Sequence, residues 1–176
     1  TLSFLLIVCV ACSSPAPSVS AGPGGTSSVE VCFSPRGGAT DAVVHELGDA
    51  KSEILVQAYS FTSAPIAKAL VDAHKRGVKV TVVLDKSQRT QKYSSADFVN
   101  NAGIPTYIDA KHAIAHNKIM LIDQATIITG SFNFTKAAEE KNAENLLVIK
   151  GDEQLVKKYL ANFEEHLWHS EKYEGR

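Results

Sequence analysis

Four polar side chains lie at spacings that could perform chemistry on a phosphate group. His116 and Lys118 are two residues apart, and Ser131 and Asn133 repeat that spacing further along the chain. Side chains two apart on a strand share a face, so each pair projects together beside a strand. If the two segments form a hairpin, an imidazole, an ammonium, a hydroxyl and a carboxamide converge. Gly130 would let the backbone come close to a ligand there.

These groups suit cleavage of a phosphodiester without a metal ion. A lysine offers fixed positive charge to the nonbridging oxygens, while serine and asparagine donate hydrogen bonds to them as charge builds on phosphorus. An imidazole can attack phosphorus or protonate the leaving oxygen, because its pKa lies near neutrality. It cannot do both at once, so an efficient site needs a second imidazole. The chain holds one copy of the pattern.

The complete pattern is His116-x-Lys118-x4-Asp123-x6-Gly130-Ser131-x-Asn133. It resembles the HKD signature of the phospholipase D superfamily. Segments 59–62, 130–139 and 144–145 extend the resemblance to the small periplasmic endonucleases of this superfamily, over nearly all of residues 29–170. The resemblance implies a phospholipase D-like α-β-α sandwich and a phosphodiesterase that uses no divalent metal or other cofactor. It also implies a homodimer that pairs one motif from each chain.

The resemblance assigns roles to the residues that match the signature. His116 would be the nucleophile that forms a phosphohistidine, and His116 of the partner subunit would be the general acid. Lys118, Ser131 and Asn133 would bind the phosphate.

Two carboxylates belong to the same set of expected catalytic residues. Glu144 matches the family's carboxylate that hydrogen-bonds a histidine nitrogen, which fixes the tautomer of the ring and raises its basicity. Asp123 completes the signature but lies out of phase with the face shared by His116 and Lys118. We therefore favour a structural or supporting role for Asp123 over a direct one.

The elements that must position these residues alternate along the chain. Apolar runs of strand length alternate with segments of helical period, which is typical of an α/β layer fold. We predict a mixed β-sheet flanked by helices on both faces. The predicted strands are residues 29–33, 54–59, 78–84, 104–108, 115–122, 125–129 and 144–149. The predicted helices are residues 43–50, 63–77, 95–103 and 155–167.

Two details of this prediction bear on the site. The tight connection at Asp123 and Gln124 predicts a hairpin between the fifth and sixth strands. Pro105 favours an edge position for the fourth strand, because proline cannot donate to a ladder.

Further basic and histidine residues are weaker candidates. Lys86, Arg89 and Lys92 follow the third predicted strand, where loops often border a site, and could grip a polyanionic substrate. His166 and His169 are three apart on the last helix, but the chain shows no zinc-ligand spacing, so we expect a solvated helix face and no metal site. His112 could line the cleft.

The N-terminal segment resembles an export signal. The run from residue 2 to residue 11 is almost purely apolar, and no charged residue precedes Glu30. We expect a signal peptide at residues 1–21, a linker at 22–28 and the catalytic domain at 29–176, with the natural chain beginning before Thr1. Periplasmic or secreted localisation follows, with a lipid anchor on Cys12 as the alternative.

Composition limits the remaining choices. The 176 residues carry 18 Lys+Arg and 19 Asp+Glu, a formal net charge of −1, so no general excess of positive charge attracts nucleic acid. Any phosphate site must be local. We expect a nuclease of low sequence specificity acting on DNA, with RNA as a further candidate. A phospholipase acting on lipid headgroups is the alternative within the same chemistry, and a noncatalytic phosphate-binding module is the alternative of another class.

Overall fold

The computed structural model describes residues 27–176. The expected signal segment and residues 22–26 of the expected linker lie outside this range. The strands are β1 (Ser28–Ser34), β2 (Glu53–Ala58), β3 (Lys79–Asp85), β4 (Thr106–Asp109), β5 (Lys118–Ile122), β6 (Thr126–Gly130), β7 (Glu144–Lys150) and β8 (Glu171–Lys172). The helices are α1 (Ala39–Asp49), α2 (Ala64–Lys75), α3 (Ala96–Asn101), α4 (Lys136–Glu140) and α5 (Glu153–Trp168).

The strands form one mixed sheet in the order β1-β7-β6-β5-β2-β3-β4-β8. The β2–β3 and β3–β4 pairs are parallel. The other neighbours are antiparallel. The predicted mixed sheet is therefore confirmed. The predicted edge position of the fourth strand is wrong, because the two-residue β8, too short to recognise by its pattern, pairs with the outer side of β4.

Two apolar cores hold helices against opposite faces of the sheet. Alternate strand residues, such as Met120 and Ile122 of β5, pack with α1, α2 and α3. The residues between them, such as Ile119 and Leu121, pack with Val156 and Phe163 of α5 on the other face. This division follows from the period of two in a strand and produces the predicted α-β-α sandwich. Among residues 27–176, no helix combines the length and apolar character needed to cross a membrane.

The predicted hairpin between β5 and β6 is present. Met120 pairs with Ile128 and Ile122 with Thr126. Asp123 and Gln124 turn the chain in the left-handed region, with φ of 53° and 52°. Paired positive φ values suit hairpin turns because they match the twist of the flanking strands. Continued by two residues, the register places Lys118 opposite Gly130, so the turn chemistry determines which motif residues face each other.

Candidate active site

Apart from Asp123, the motif residues lie at one end of neighbouring strands, where β5 begins and β6 ends. A groove of about 440 Å³ opens there between the sheet and α5. The strand side of the groove contains His116, Asn117, Lys118, Thr129 and Gly130. The helix side contains Leu155, Lys158, Tyr159 and Asn162. Two of the predicted site residues, His116 and Lys118, therefore line one groove with the motif glycine Gly130 and residues of α5.

His116 lies just before β5 with its side chain exposed at the groove. Its ring centroid is 4.5 Å from that of Tyr59, with 50° between the planes. The backbone N–H of Tyr59 donates to the carbonyl of Asn117 at 2.8 Å, which anchors the segment beside the end of β2. Within residues 27–176 the ring nitrogens of His116 make no hydrogen bond, so an aromatic contact orients an imidazole that is open to a ligand.

Lys118 is the first residue of β5 and is only 6% exposed. Its Nζ donates to the carbonyl oxygen of His116 at 2.8 Å and lies 5.0 Å from the centroid of the Tyr59 ring. Burial lowers the pKa of the Lys118 ammonium, and the negative charge of Glu144 partly opposes that change. A desolvated ammonium with two remaining protons is well suited to an anionic ligand, because the attraction is stronger out of water.

Ser131 and Asn133 follow directly after β6. Ser131 is exposed, and its Oγ accepts the backbone N–H of Asn145 at 3.1 Å, so the hydroxyl proton remains available to a ligand. The Oδ1 of Asn133 is buried and has no hydrogen-bond partner within the described residues. Neither residue is among those that line the groove. Both follow the end of β6, the strand that pairs with β5.

Gly130 is required by the close approach of β7. A Cβ atom at this position would lie 2.3 Å from the carbonyl oxygen of Asn145, and φ of Gly130 is +137°. That same carbonyl accepts the backbone N–H groups of Ser131 and Phe132, each at 3.1 Å. The glycine thus lets one carbonyl set the position of the segment that carries Ser131.

Glu144 does not make the expected contact inside one chain. Its Oε1 accepts the side-chain amide of Asn142 at 3.2 Å, and its backbone N–H donates to Ser34 Oγ at 3.2 Å. Among the described residues it forms no hydrogen bond to His116. The expectation fails for this pair because Glu144 sits at the start of β7, two strands away from β5. Within one chain, the negative charge of Glu144 instead raises the pKa of Lys118, against the lowering caused by burial.

Asp123 lies at the opposite end of β5 from His116 and is not part of the groove. Its carboxylate accepts the backbone N–H groups of Lys51, Ser52 and Glu53 at 2.7–2.9 Å and the hydroxyl of Ser52 at 2.7 Å. Partial burial would raise the pKa of Asp123, but these hydrogen bonds outweigh it and hold that pKa at about 2. The geometry therefore favours the structural interpretation of Asp123.

The basic loop after β3 does not reach the groove. Lys86 Nζ donates to the carbonyl of His112 at 3.0 Å, and Arg89 forms an ion pair with Glu171. Lys92 Nζ lies 5.2 Å from the centroid of the Tyr93 ring. The groove cation besides Lys118 is instead Lys158 of α5. The sequence did not single out Lys158, because the side of α5 that faces the groove depends on how the helix packs on the sheet.

The predicted solvated face at His166 and His169 is wrong. Their side chains are 13% and 6% exposed and approach the buried carboxylate of Asp109 at the end of β4. His112 approaches the same carboxylate and stacks on His166, with ring centroids 4.9 Å apart. Burial would raise the pKa of Asp109, but hydrogen bonds, above all that from His166, outweigh it and hold that pKa at about 2. His112 therefore faces this cluster, and it is not among the residues that line the groove.

Comparison with known proteins agrees with the geometry. The family model described as cardiolipin synthase, PLD-like domain, matches residues 43–168. A phospholipase D of Rickettsia conorii is 43% identical over 137 residues, covering 78% of this chain and 68% of the relative. The human mitochondrial cardiolipin hydrolase is 31% identical over 138 residues, and the match spans about half of its length, 54%.

Solved structures share the fold of this chain. Nuc from Salmonella typhimurium, a phospholipase D family member, superposes with a TM-score of 0.81 at 41% identity, covering 84% of this chain and 99% of Nuc. NucT from Helicobacter pylori has a TM-score of 0.78 at 22% identity, covering 84% of this chain and 100% of NucT, a likeness of fold alone. Fold, motif and relatives agree, and the chain belongs to the phospholipase D superfamily of phosphodiesterases.

Proposed function

We propose that this protein is a nuclease of low sequence specificity that cleaves DNA through a phosphohistidine intermediate, without a metal ion in the chemistry. The observation that carries the proposal is the pairing of an exposed imidazole, His116, with a buried ammonium, Lys118, at one groove. The first group can attack phosphorus and the second can stabilise the charge that develops on its oxygens.

The reaction proceeds in two displacements. A ring nitrogen of His116 forms a bond to phosphorus as the bond to the leaving oxygen breaks, and the leaving oxygen takes a proton from His116 of the partner subunit. That imidazole, now neutral, accepts a proton from water as the water oxygen attacks the phosphohistidine. The nitrogen–phosphorus bond breaks and His116 is regenerated. Lys118, Ser131 and Asn133 donate to the nonbridging oxygens, most strongly when charge develops on those oxygens in each transition state.

A homodimer is part of the proposal because the reaction needs two imidazoles and the chain carries one motif. Random pairing with a His116→Asn chain tests this directly. In an equal mixture, about one quarter of the dimers retain both imidazoles, whereas about half of the activity would survive if each subunit acted alone. His45→Asn, which changes an exposed histidine of α1, is the matched control. Half of the activity, or a fully active monomer in sedimentation, would contradict a shared site.

The groove favours nucleic acid as the substrate. Lys158 and Asn162 of α5 extend its polar lining beyond the motif residues, which suits a chain of several phosphates. The alternative, a phospholipase, is supported by a specific observation. Trp168 is 84% exposed and Ile114 is 56% exposed, and exposed apolar side chains of this kind can insert into a lipid surface. The names of the rickettsial relatives point the same way.

A substrate panel separates the two candidates. We expect release of fragments from plasmid DNA and single-stranded DNA, and no headgroup release from phosphatidylcholine vesicles; the reverse result would assign the phospholipase activity. Each reaction is repeated with a chelator, and the Tm of the same sample is recorded. Loss of activity at an unchanged Tm would place a metal ion in the chemistry and refute the proposed mechanism. His116→Asn should abolish activity on every substrate.

A further inference from the structure

The second cluster of functional side chains lies outside the groove, at the carboxyl end of β4. Asp109 is the last residue of β4 and is fully buried. His112 follows in the next loop, while His166 and His169 come from the end of α5 and just beyond it. One donor atom from each of these four residues can be chosen so that all of them lie within 4.8 Å of one another.

Two of the three distances from Asp109 to the histidines are close to those between ligands of one metal ion. Asp109 Oδ2 lies 2.6 Å from His166 Nδ1, 3.1 Å from His112 Nδ1 and 3.2 Å from His169 Nε2. Nitrogen and oxygen ligands of tetrahedral zinc, each 2.0–2.1 Å from the metal, are about 3.3 Å apart. His112 and His169 thus approach one carboxylate oxygen at nearly the edge length of a zinc tetrahedron, and His166 is closer, at hydrogen-bond distance.

Hydrogen bonding alone leaves the cluster incompletely satisfied. A carboxylate oxygen has two lone pairs, and three imidazoles approach Oδ2 of Asp109. His169 is the residue left over. Both of its ring nitrogens are buried without a hydrogen-bond partner in the part of the chain that is described. A buried polar atom without a partner is destabilising, and a ring nitrogen 3.2 Å from a carboxylate oxygen, beside two further imidazoles, can serve as a metal ligand.

We propose that Asp109, His112, His166 and His169 bind a divalent transition metal of the zinc class. Three imidazoles and one carboxylate are borderline ligands that suit zinc and complete four-coordination without an open position, which is the arrangement of a structural site. The metal would join the loop at residues 110–115 to the end of α5. Because that loop leads directly into His116, the site would hold the nucleophile's segment in place without taking part in the phosphate chemistry.

Titration of the metal-stripped full-length protein with Zn²⁺ and Co²⁺ tests this site. We expect one equivalent of Zn²⁺ to bind, and Co²⁺ to give the visible absorption of a tetrahedral complex. At a zinc concentration a hundredfold above Kd, the Tm should rise by about 5 °C or more. His112→Gln alters a side chain that is 42% exposed, so the fold should persist. We expect this variant to bind at least about tenfold more weakly. His166→Gln should behave in the same way.

The matched control is His45→Gln, because His45 is 70% exposed and lies on α1, outside the cluster. It should bind zinc like the unchanged protein. The proposal is overturned if the unchanged protein shows neither cobalt absorption nor a Tm response. It is equally overturned if His112→Gln retains full affinity. Either result would make the cluster a hydrogen-bonded network, and neither would affect the proposed nuclease activity, which is measured separately.

Discussion

Gly130→Ala tests whether one backbone contact positions the segment that carries Ser131. The added Cβ would lie 2.3 Å from the carbonyl oxygen of Asn145, and an L side chain is strained at φ of +137°. The strain is worth about 1–3 kcal/mol. Displacing the carbonyl also weakens its two hydrogen bonds from Ser131 and Phe132, each worth about 1 kcal/mol. We expect a total destabilisation of about 2–4 kcal/mol.

Two measurements follow from this magnitude. The Tm should fall by about 4–16 °C, since each kcal/mol corresponds to about 2–4 °C in a protein of this size. The kcat on a chromogenic phosphodiester, measured well below the Tm, should fall by about 10²-fold, because a shift of about 1 Å in a positioning group has that effect. The chromogenic substrate makes the result independent of the choice between nuclease and phospholipase.

The control is Gly48→Ala at the end of α1, where an added Cβ would meet nothing within 4 Å. This variant should be neutral or more stable by up to about 1 kcal/mol, with unchanged kcat. If Gly130→Ala shifts the Tm by less than about 2 °C and kcat by less than about twofold, the contact does not position Ser131 and the reasoning is refuted.

Three further substitutions examine the other roles. Asp123→Asn should lower the free energy of unfolding by about 1–2 kcal/mol, after allowance for solvent screening, and leave kcat nearly unchanged. Asp49→Asn, at an exposed carboxylate, is the control. A large loss of kcat at an unchanged Tm would indicate a direct role for Asp123. The pKa of Asp123 is about 2 in the folded protein, against 3.8 ordinarily. Its contribution to the free energy of unfolding should therefore be complete above about pH 4 and be lost as the pH falls through about 2. Denaturation at several pH values measures this change. Lys158→Gln should weaken DNA binding and reduce by about 1 the steepness with which the logarithm of the binding constant falls with the logarithm of the salt concentration. Lys157→Gln, at a residue that does not line the groove, should have little effect. Lys118→Gln should lower kcat by at least about 10²-fold with little change in DNA binding, and an equal loss in both would argue against selective stabilisation of the transition state.

The architecture and the positions of the motif residues could be read from the sequence. Strand and helix periods depend on which residues are apolar, so the mixed sheet, the hairpin and the two helical layers could be predicted. The motif could be recognised because His116, Lys118, Ser131 and Asn133 lie on two segments joined by a short turn, where local geometry brings them together. A supporting role for Asp123 could be predicted as well, because the alternation of side chains along a strand places it off the face shared by His116 and Lys118.

Which distant residues meet depends on the packing of the folded chain. The orientation of α5 on the sheet placed Lys158 in the groove and turned His166 and His169 toward Asp109, although the lack of zinc-ligand spacing in the sequence favoured a solvated face. Strand order put Glu144 out of hydrogen-bond reach of His116 within one chain, and β8 covered β4. Such contacts join segments far apart in the chain. Their geometry depends on packing over the whole core, which no local pattern encodes.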